Sequence, residues 1–336
     1  MGTRAAMLAI KEREQALASV EGVLNINKPS GWTSHDVVAK LRGVLKGTRI
    51  GHAGTLDPAA TGVLPVLIGR ATRIAEYLLD WDKEYQAVLR LGQTTDTLDA
   101  TGTILSEGST DGLTDESIRG AFARFQGEID QLPPMYSAVK VAGMPLYKAA
   151  RAGKTVEREL RQVTVYEMPI LNVNGRDVMF RVRCSKGTYV RTLCADIGEA
   201  LGVGGHLLEL ERRRVGPLHL AQSCTIDEAL DSARMGRISH RLLALDDALA
   251  HMPALTVNQA AADRARHGVP IPFHAVQWDS LSPQGCSLGR RVVRLKDSSA
   301  RLLGIGLVQK DSSSADGFVA IVKVLVETGQ QVTASN

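Results

Sequence analysis

The chain has 336 residues, of which 44% are hydrophobic and 23% charged, with a formal net charge of +4. That length predicts two domains of unequal size with apolar cores, and no apolar run approaches the roughly eighteen residues of a transmembrane helix. The small positive excess permits a nucleic-acid partner without demonstrating one.

In chain order, residues 1–21 mix Ala and Leu with Arg4, Lys11, Glu12, Arg13 and Glu14. They lack the uninterrupted apolar core of a signal peptide and read as an N-terminal extension of a cytoplasmic protein. Ser34 is the expected cap of a helix with Val37, Val38, Leu41, Val44 and Leu45 on one face. Tyr85, Ala87, Leu89 and Leu91 alternate with polar residues and read as a strand ending at Gly92. Ile118, Ala121, Phe122 and Phe125 recur at helical spacing after Thr114. Val178, Phe180, Val182 and Cys184 mark another strand, and Val190, Leu193, Cys194, Ile197 and Leu201 the inward face of a helix. Strands and helices mix without a regular βαβ rhythm, which predicts an α+β fold with a mixed, largely antiparallel sheet. The pattern changes near His251-Met252-Pro253. A short helix over Gln259–His267 is followed by strand-like runs at Arg290–Leu295, Leu302–Gln309 and Phe318–Val326, with a loop over Ser312–Gly317. The expected organisation is a large mixed domain over 22–250, a small β-rich domain over 251–330 and a tail over 331–336. Cys184, Cys194, Cys224 and Cys286 include no CxxC pair, so they read as reduced thiols and no zinc or other metal site is expected.

The segment Gly51-His52-Ala53-Gly54-Thr55-Leu56-Asp57-Pro58-Ala59-Ala60-Thr61-Gly62-Val63-Leu64-Pro65 carries three glycines beside two prolines. Such a composition forces a structured loop, and Pro58 biases Asp57 toward an extended conformation. A carboxylate is therefore held on a rigid loop that leads into an apolar strand. By spacing alone, Asp57-Pro58 reads first as an ordinary turn. No Gly-Lys-Ser/Thr follows the glycines, which excludes a phosphate-binding P-loop.

This same segment resembles the catalytic signature of the TruB-type tRNA pseudouridine synthases, and other motifs resemble the family in the same order. They are Asn27-Lys28-Pro29-Ser30-Gly31-Trp32-Thr33-Ser34, then Asp82-Lys83-Glu84-Tyr85 with Leu91-Gly92-Gln93-Thr94-Thr95-Asp96-Thr97 and Asp99. Leu132-Pro133-Pro134-Met135-Tyr136-Ser137-Ala138-Val139-Lys140 follows, then Cys184-Ser185-Lys186-Gly187-Thr188-Tyr189-Val190-Arg191-Thr192-Leu193. The resemblance spans roughly residues 22–330 and departs at Glu211, where the family usually has Arg; that puts one phosphate contact in question.

The resemblance implies a catalytic domain of the pseudouridine synthase type, a small RNA-binding domain of the PUA type, and isomerisation of uridine 55 in the T-loop of tRNA without a cofactor. The glycosidic bond from C1′ to N1 breaks, the base turns, and C1′ rebonds to C5 of an extruded base. By resemblance Asp57 is the carboxylate that acts at the sugar, as nucleophile or as base. Arg191 holds it ionised, and Asp99 orients Arg191. Tyr85 stacks on the target base, and Tyr189 and Leu210 close the pocket. His52 is implied as a wedge that displaces the target nucleotide, while Lys28 and Pro29 line or brace the site.

Lys140, Lys148, Arg151, Lys154, Arg158 and Arg161, with Tyr136 and Tyr147 interleaved, give the segment over 133–161 a composition that suits RNA and equally a solvated helical hairpin; the resemblance implies an RNA-binding insertion that closes on the T-arm as a flap. The expected partner is the T-arm and T-loop of tRNA, with neither a membrane nor an obligate protein partner. Two other readings stand beside this one: a tRNA-binding and folding protein without required catalysis, and a guide-dependent synthase acting on other RNA.

Overall fold

The computed structural model describes residues 20–137, 139–141, 143–154, 156–277, 291–310 and 317–326. Cys286, most of the N-terminal extension, the Ser312–Asp316 part of the predicted loop and the tail lie outside the described residues. The chain forms two compact units. The larger comprises Asn25–Val66 and Glu76–Ile238, and the smaller gathers Leu67–Ala75 and Ser239–Asn336 with the chain up to Leu24.

The larger unit is built on a sheet with the order β1-β3-β13-β4-β12-β10-β7 among the described residues. Its strands are β1 (Gly22–Lys28), β2 (Ile50–His52), β3 (Thr61–Ile68), β4 (Lys83–Leu91), β5 (Gln93–Thr95), β6 (Ile104–Glu107), β7 (Gly127–Gln131), β8 (Lys140–Val141), β9 (Met144–Pro145), β10 (Arg161–Glu167), β11 (Ile170–Asn174), β12 (Asp177–Cys184), β13 (Gly205–Val215) and β14 (Leu218–His219). Strand β4 runs antiparallel to both β12 and β13, whereas β13 meets β3 in parallel. The sheet is therefore mixed and mostly antiparallel, as the irregular strand–helix rhythm predicts.

On β4, burial alternates residue by residue, so Tyr85, Ala87, Leu89 and Leu91 face the core. The helices α1 (Ser34–Val44), α2 (Ala75–Leu78), α3 (Asp115–Ala123), α4 (Leu146–Arg151) and α5 (Val190–Ala200) follow in chain order. Ile118, Ala121 and Phe122 of α3 share one core with Val190, Leu193, Cys194 and Ile197 of α5 and the inward side chains of β4 and β12. Phe122 meets Phe180 edge to face at 5.2 Å between ring centroids.

The cap of α1 differs from expectation. Thr33, not Ser34, is the cap residue, because Asp36 three positions on returns a bond to the Thr33 backbone and completes a capping box. Ser34 is thereby left to make a tertiary contact, in which its Oγ accepts from the Leu56 N–H at 3.0 Å. Cys184 and Cys194 are buried free thiols and Cys224 is buried too, its thiol donating to Asn25 O at 3.6 Å; burial pushes the Cys184 thiol up to about 12.

The smaller unit carries α7 (Leu245–Ala248) and α8 (Gln259–Arg266), numbered after α6 (Ile226–Arg234) of the larger. In it Val23 and Leu24 pair with Leu243 and Leu242 of β15 (Leu242–Leu243). A second sheet takes the order β17-β21-β20-β19-β16-β18, from β16 (Ala254–Val257), β17 (Ile271–Pro272), β18 (Val276–Gln277), β19 (Arg291–Lys296), β20 (Leu302–Lys310) and β21 (Gly317–Val324). Ala261, Ala262 and Ala265 of α8 pack in its apolar core with Leu255, Val293, Leu295 and Val319. No described helix is long and apolar enough to cross a membrane.

Candidate active site

The loop between β2 and β3 is held from several sides. Gly54 and Gly62 have φ of +94° and +101°, a region that disfavours side chains. At Gly62 a Cβ would lie 2.2 Å from the Arg212 carbonyl oxygen, so the close approach of β3 to β13 requires glycine. Lys28, fully buried on β1, donates to the carbonyls of Pro29 at 2.9 Å, Trp32 at 2.7 Å and Pro58 at 3.2 Å. Those three bonds use every donor of the ammonium group, and burial pushes Lys28 down to about 8, with Asp57 opposing. Ser34 fixes Leu56, the neighbour of Asp57.

From below, Arg212 spans both ends of the loop. Its guanidinium donates to Val63 O at 2.7 Å, Gly54 O at 2.8 Å and Thr55 O at 3.3 Å, and the residue is only 1% exposed. The same guanidinium lies near the Tyr85 phenol, and the two groups influence each other's titration. The family resemblance does not single out Arg212. Its one sequence signal is parity: it stands two residues after Leu210 on one strand, hence on the same inward face.

Asp57 emerges from this scaffold with its side chain about one-third exposed, and its nearest cation is Arg191, 3.4 Å away and 7% exposed. Burial pushes the Asp57 carboxyl above its ordinary value; Arg191 pulls it back, Asp99 pushes it up, and Lys28 and Arg212 pull it down. Arg191 lies in the first turn of α5. It donates to Tyr136 O at 2.8 Å and faces Asp99 at 3.8 Å, while its Nε has no partner. Asp99 is fixed locally: its Oδ1 accepts from the Thr97 hydroxyl, the Thr101 N–H and the Thr101 hydroxyl at 2.7, 2.9 and 2.6 Å. The other oxygen is left for Arg191. The preceding Leu98 has φ +63°, an uncommon conformation for a branched side chain.

A cleft of about 510 Å³ opens here, lined by Asp57, Ala60, Asp99 and Leu210 with Gln86, Met179, Glu209 and Glu211. Glu211 is engaged by Arg213 at 2.7 Å. Tyr85 is 8% exposed and packs in the core with Leu56 and Ala60, and burial raises its phenol while Arg212 opposes. Tyr189 caps α5, with Arg191 5.8 Å from its ring centroid. His52 is half-buried, edge-on to His35 at 5.3 Å, and burial pushes it down to about 4, so the ring is neutral at neutral pH. The structure thus brings Asp57, Asp99 and Leu210 to one cleft, with the buried Arg191 against both carboxylates and Lys28, Tyr85 and Tyr189 among the supports. No group of three or more metal-ligating side chains occurs among the described residues.

A carboxylate kept basic by burial, oriented by one buried arginine and facing an open cleft, suits chemistry at an electrophilic carbon or an acidic C–H. Comparison with known proteins gives this chemistry a family. Residues 42–190 match the TruB family pseudouridylate synthase N-terminal domain, and residues 191–253 match the tRNA pseudouridylate synthase B C-terminal domain. The chain is 45% identical to the tRNA pseudouridine synthase B of Burkholderia mallei over 312 residues, 93% of this chain and 99% of that protein. It is 44% identical to the protein of the same name from Ralstonia pickettii over 294 residues, covering 86% and 91% of the two. Among solved structures, a Cbf5-Nop10-Gar1 complex matches with a TM-score of 0.72 at 30% identity, over 94% of this chain and 87% of that one. An H/ACA RNP bound to a substrate RNA containing 2′-deoxyuridine matches with a TM-score of 0.69 at 27% identity, over 95% and 87%. The chain belongs to the TruB family of pseudouridylate synthases.

Proposed function

We propose that this protein converts uridine 55 of tRNA to pseudouridine, with Asp57 acting at the sugar. The observation that carries the reading is the Asp57 carboxylate on a rigid loop at the cleft, 3.4 Å from the buried Arg191. The reaction is an isomerisation: C1′–N1 breaks, C1′–C5 forms, N1 gains a proton and C5 loses one. Atoms and electrons balance within the nucleotide, so the residues need to supply only position, charge and proton transfer.

Arg191 holds Asp57 toward the sugar, and Asp99 steadies Arg191 from its other side. Tyr85 forms the floor against the turning base, with Leu210 and Tyr189 as its walls. His52 enters the T-loop as a neutral wedge. The exposed Lys148 and Lys154 of the insertion meet T-arm phosphates. Arg158 is set apart from them, because it donates to Pro133 O at 2.9 Å and braces the insertion itself. Lys140, Tyr147 and Arg151 have side chains outside the described residues.

Direct action on tRNA in the cytoplasm, without a guide complex, is favoured over the guide-dependent alternative. The synthase B relatives match at 44–45% identity, against 27–30% for the ribonucleoprotein structures. Incubating the purified protein with an unmodified tRNA transcript and mapping pseudouridine is the test. Product at position 55 from protein and tRNA alone is expected. Binding without product would favour the folding-protein reading, and product only with a guide RNA the other.

A further inference from the structure

We propose that Gln131 is a positioning residue for the Asp57–Arg191 pair, acting by gripping the cap residue of the helix that carries Arg191. Gln131 ends β7 and is 1% exposed. Its Oε1 accepts from the Tyr189 N–H at 3.0 Å, and its Nε2 donates to the Tyr189 carbonyl at 3.3 Å. Tyr189 is the cap residue of α5 and makes no side-chain cap bond of its own. The amide of Gln131 therefore fixes a helix start that has no local cap.

Arg191 needs this support because its own contacts leave it loosely held. Its approaches to Asp57 and Asp99 are 3.4 and 3.8 Å, and its Nε is buried without a partner. Its one short bond is to Tyr136 O, at 2.8 Å. Residues 131 and 136 thus grip the same helix start, one through the backbone and the other through the arginine. Gln131 also pairs with Arg161 across β7 and β10, so it sits where both ends of the basic insertion join the sheet. Releasing the Tyr189 backbone lets Arg191 draw away from Asp57. Asp57 then faces Lys28 from β1, Arg212 from β13 and Asp99 from the loop after β5, with less of Arg191 from α5. Because Arg191 is the strongest influence favouring the anion, its withdrawal raises the carboxyl further.

The inference rests on the proposed function only in taking Asp57 as the reacting group, and two readouts keep them apart. The first is the titration of Asp57 in the free, full-length protein, followed by carboxyl carbon NMR and assigned with Asp57→Asn. Gln131→Met should move the midpoint up by roughly half a pH unit or more, about a threefold change in acid strength. The second is single-turnover pseudouridine formation, which should fall about tenfold with tRNA affinity within about twofold of wild type. A wild-type protein that makes no pseudouridine would sink the functional reading while the titration still decides the role of Gln131. Gln131→Asn keeps an amide too short to reach both Tyr189 groups, and it should give the same shift if the Met variant does not fold. An unmoved midpoint overturns the proposal, even with a reduced rate. So does loss of cooperative melting in both variants, which would make Gln131 a core amide alone.

Discussion

Arg212→Met tests whether the loop that presents Asp57 is held by a buried cation rather than by its own prolines and glycines. Arg212 makes two short bonds, 2.7 Å to Val63 O and 2.8 Å to Gly54 O. Hydrogen bonds to a charged group contribute about 1.5–3 kcal/mol each, so the two together amount to roughly 3–6 kcal/mol. Methionine fills most of the same volume and escapes the several kcal/mol cost of burying a guanidinium, which brings the expected net loss to roughly 2–4 kcal/mol. For a chain of 336 residues that corresponds to a melting temperature lower by about 3–6 °C. Arg212 is 1% exposed and cannot reach RNA, so turnover should fall more than about tenfold while the Kd for tRNA stays within about twofold. Arg212→Lys should rescue little, because a point charge cannot span the fork of carbonyls. Thermal melts, single-turnover rates and filter binding give the three numbers. A variant with wild-type melting and wild-type rate would refute the argument that Arg212 holds the loop.

Asp57→Asn should abolish isomerisation, keep tRNA binding and leave the melting temperature unchanged or higher. Burial raises the Asp57 carboxyl, so the folded state binds its proton more tightly than the unfolded state does. The stability contribution therefore falls as pH rises from the ordinary carboxylate value through the raised one, and the amide removes that cost at neutral pH; a melting temperature several degrees lower contradicts this. By the same shift, the acid limb of the wild-type rate profile should lie above the ordinary aspartate value of about 3.9, and a limb at or below it would contradict the burial argument. EDTA should leave turnover unchanged once the RNA is folded, and restoration by zinc of a chelator-sensitive activity would overturn the cofactor-free scheme. Replacing Lys148, Arg151 and Lys154 with Ala should weaken tRNA binding and flatten its salt dependence, with hydrogen exchange across 133–161 slowed by tRNA only in the wild type. An unchanged salt slope would make the segment a fixed structural hairpin.

The elements of the larger unit are legible in the sequence wherever one face is apolar. The alternation on β4 and the spacing on α3 and α5 are local signals of burial, and the structure buries those faces. What the sequence hides depends on register. Strand β13 shifts register against β4 between Leu207 and Glu209 and again between Arg212 and Arg214. Each bulge resets which parity faces inward, so alternation carried from Leu207 or Arg214 misplaces Arg212, and only its parity with Leu210 inside the same register segment marks its inward face. The cap of α1 falls on Thr33 rather than the expected Ser34 because both are good cap residues, and only the return bond from Asp36 separates them. The segment Leu67–Ala75 belongs to the smaller unit for a reason equally remote from local pattern: Arg73 donates to Val324 O at 2.7 Å, 251 residues on. Asp57 itself is visible as a carboxylate on a rigid loop, but its partner Arg191 lies 134 residues away and no spacing rule joins them.

The electrostatics of the site explain why three cations surround Asp57 without quenching it. A carboxylate locked in a close ion pair has a depressed pKa and is a weak nucleophile and base. Here Lys28 places all three of its donors on backbone carbonyls, and Arg212 likewise directs its hydrogen bonds to carbonyls. Both act on Asp57 only through space, while Arg191 approaches it no closer than 3.4 Å and is shared with Asp99 and Tyr136 O. Burial consequently outweighs their attraction, and the carboxyl stays above its ordinary value. The same cations that fix the loop backbone thus leave the acid basic enough to act. A second, closer ion pair at Asp57, beside that with Arg191, would make the anion more stable and the enzyme slower.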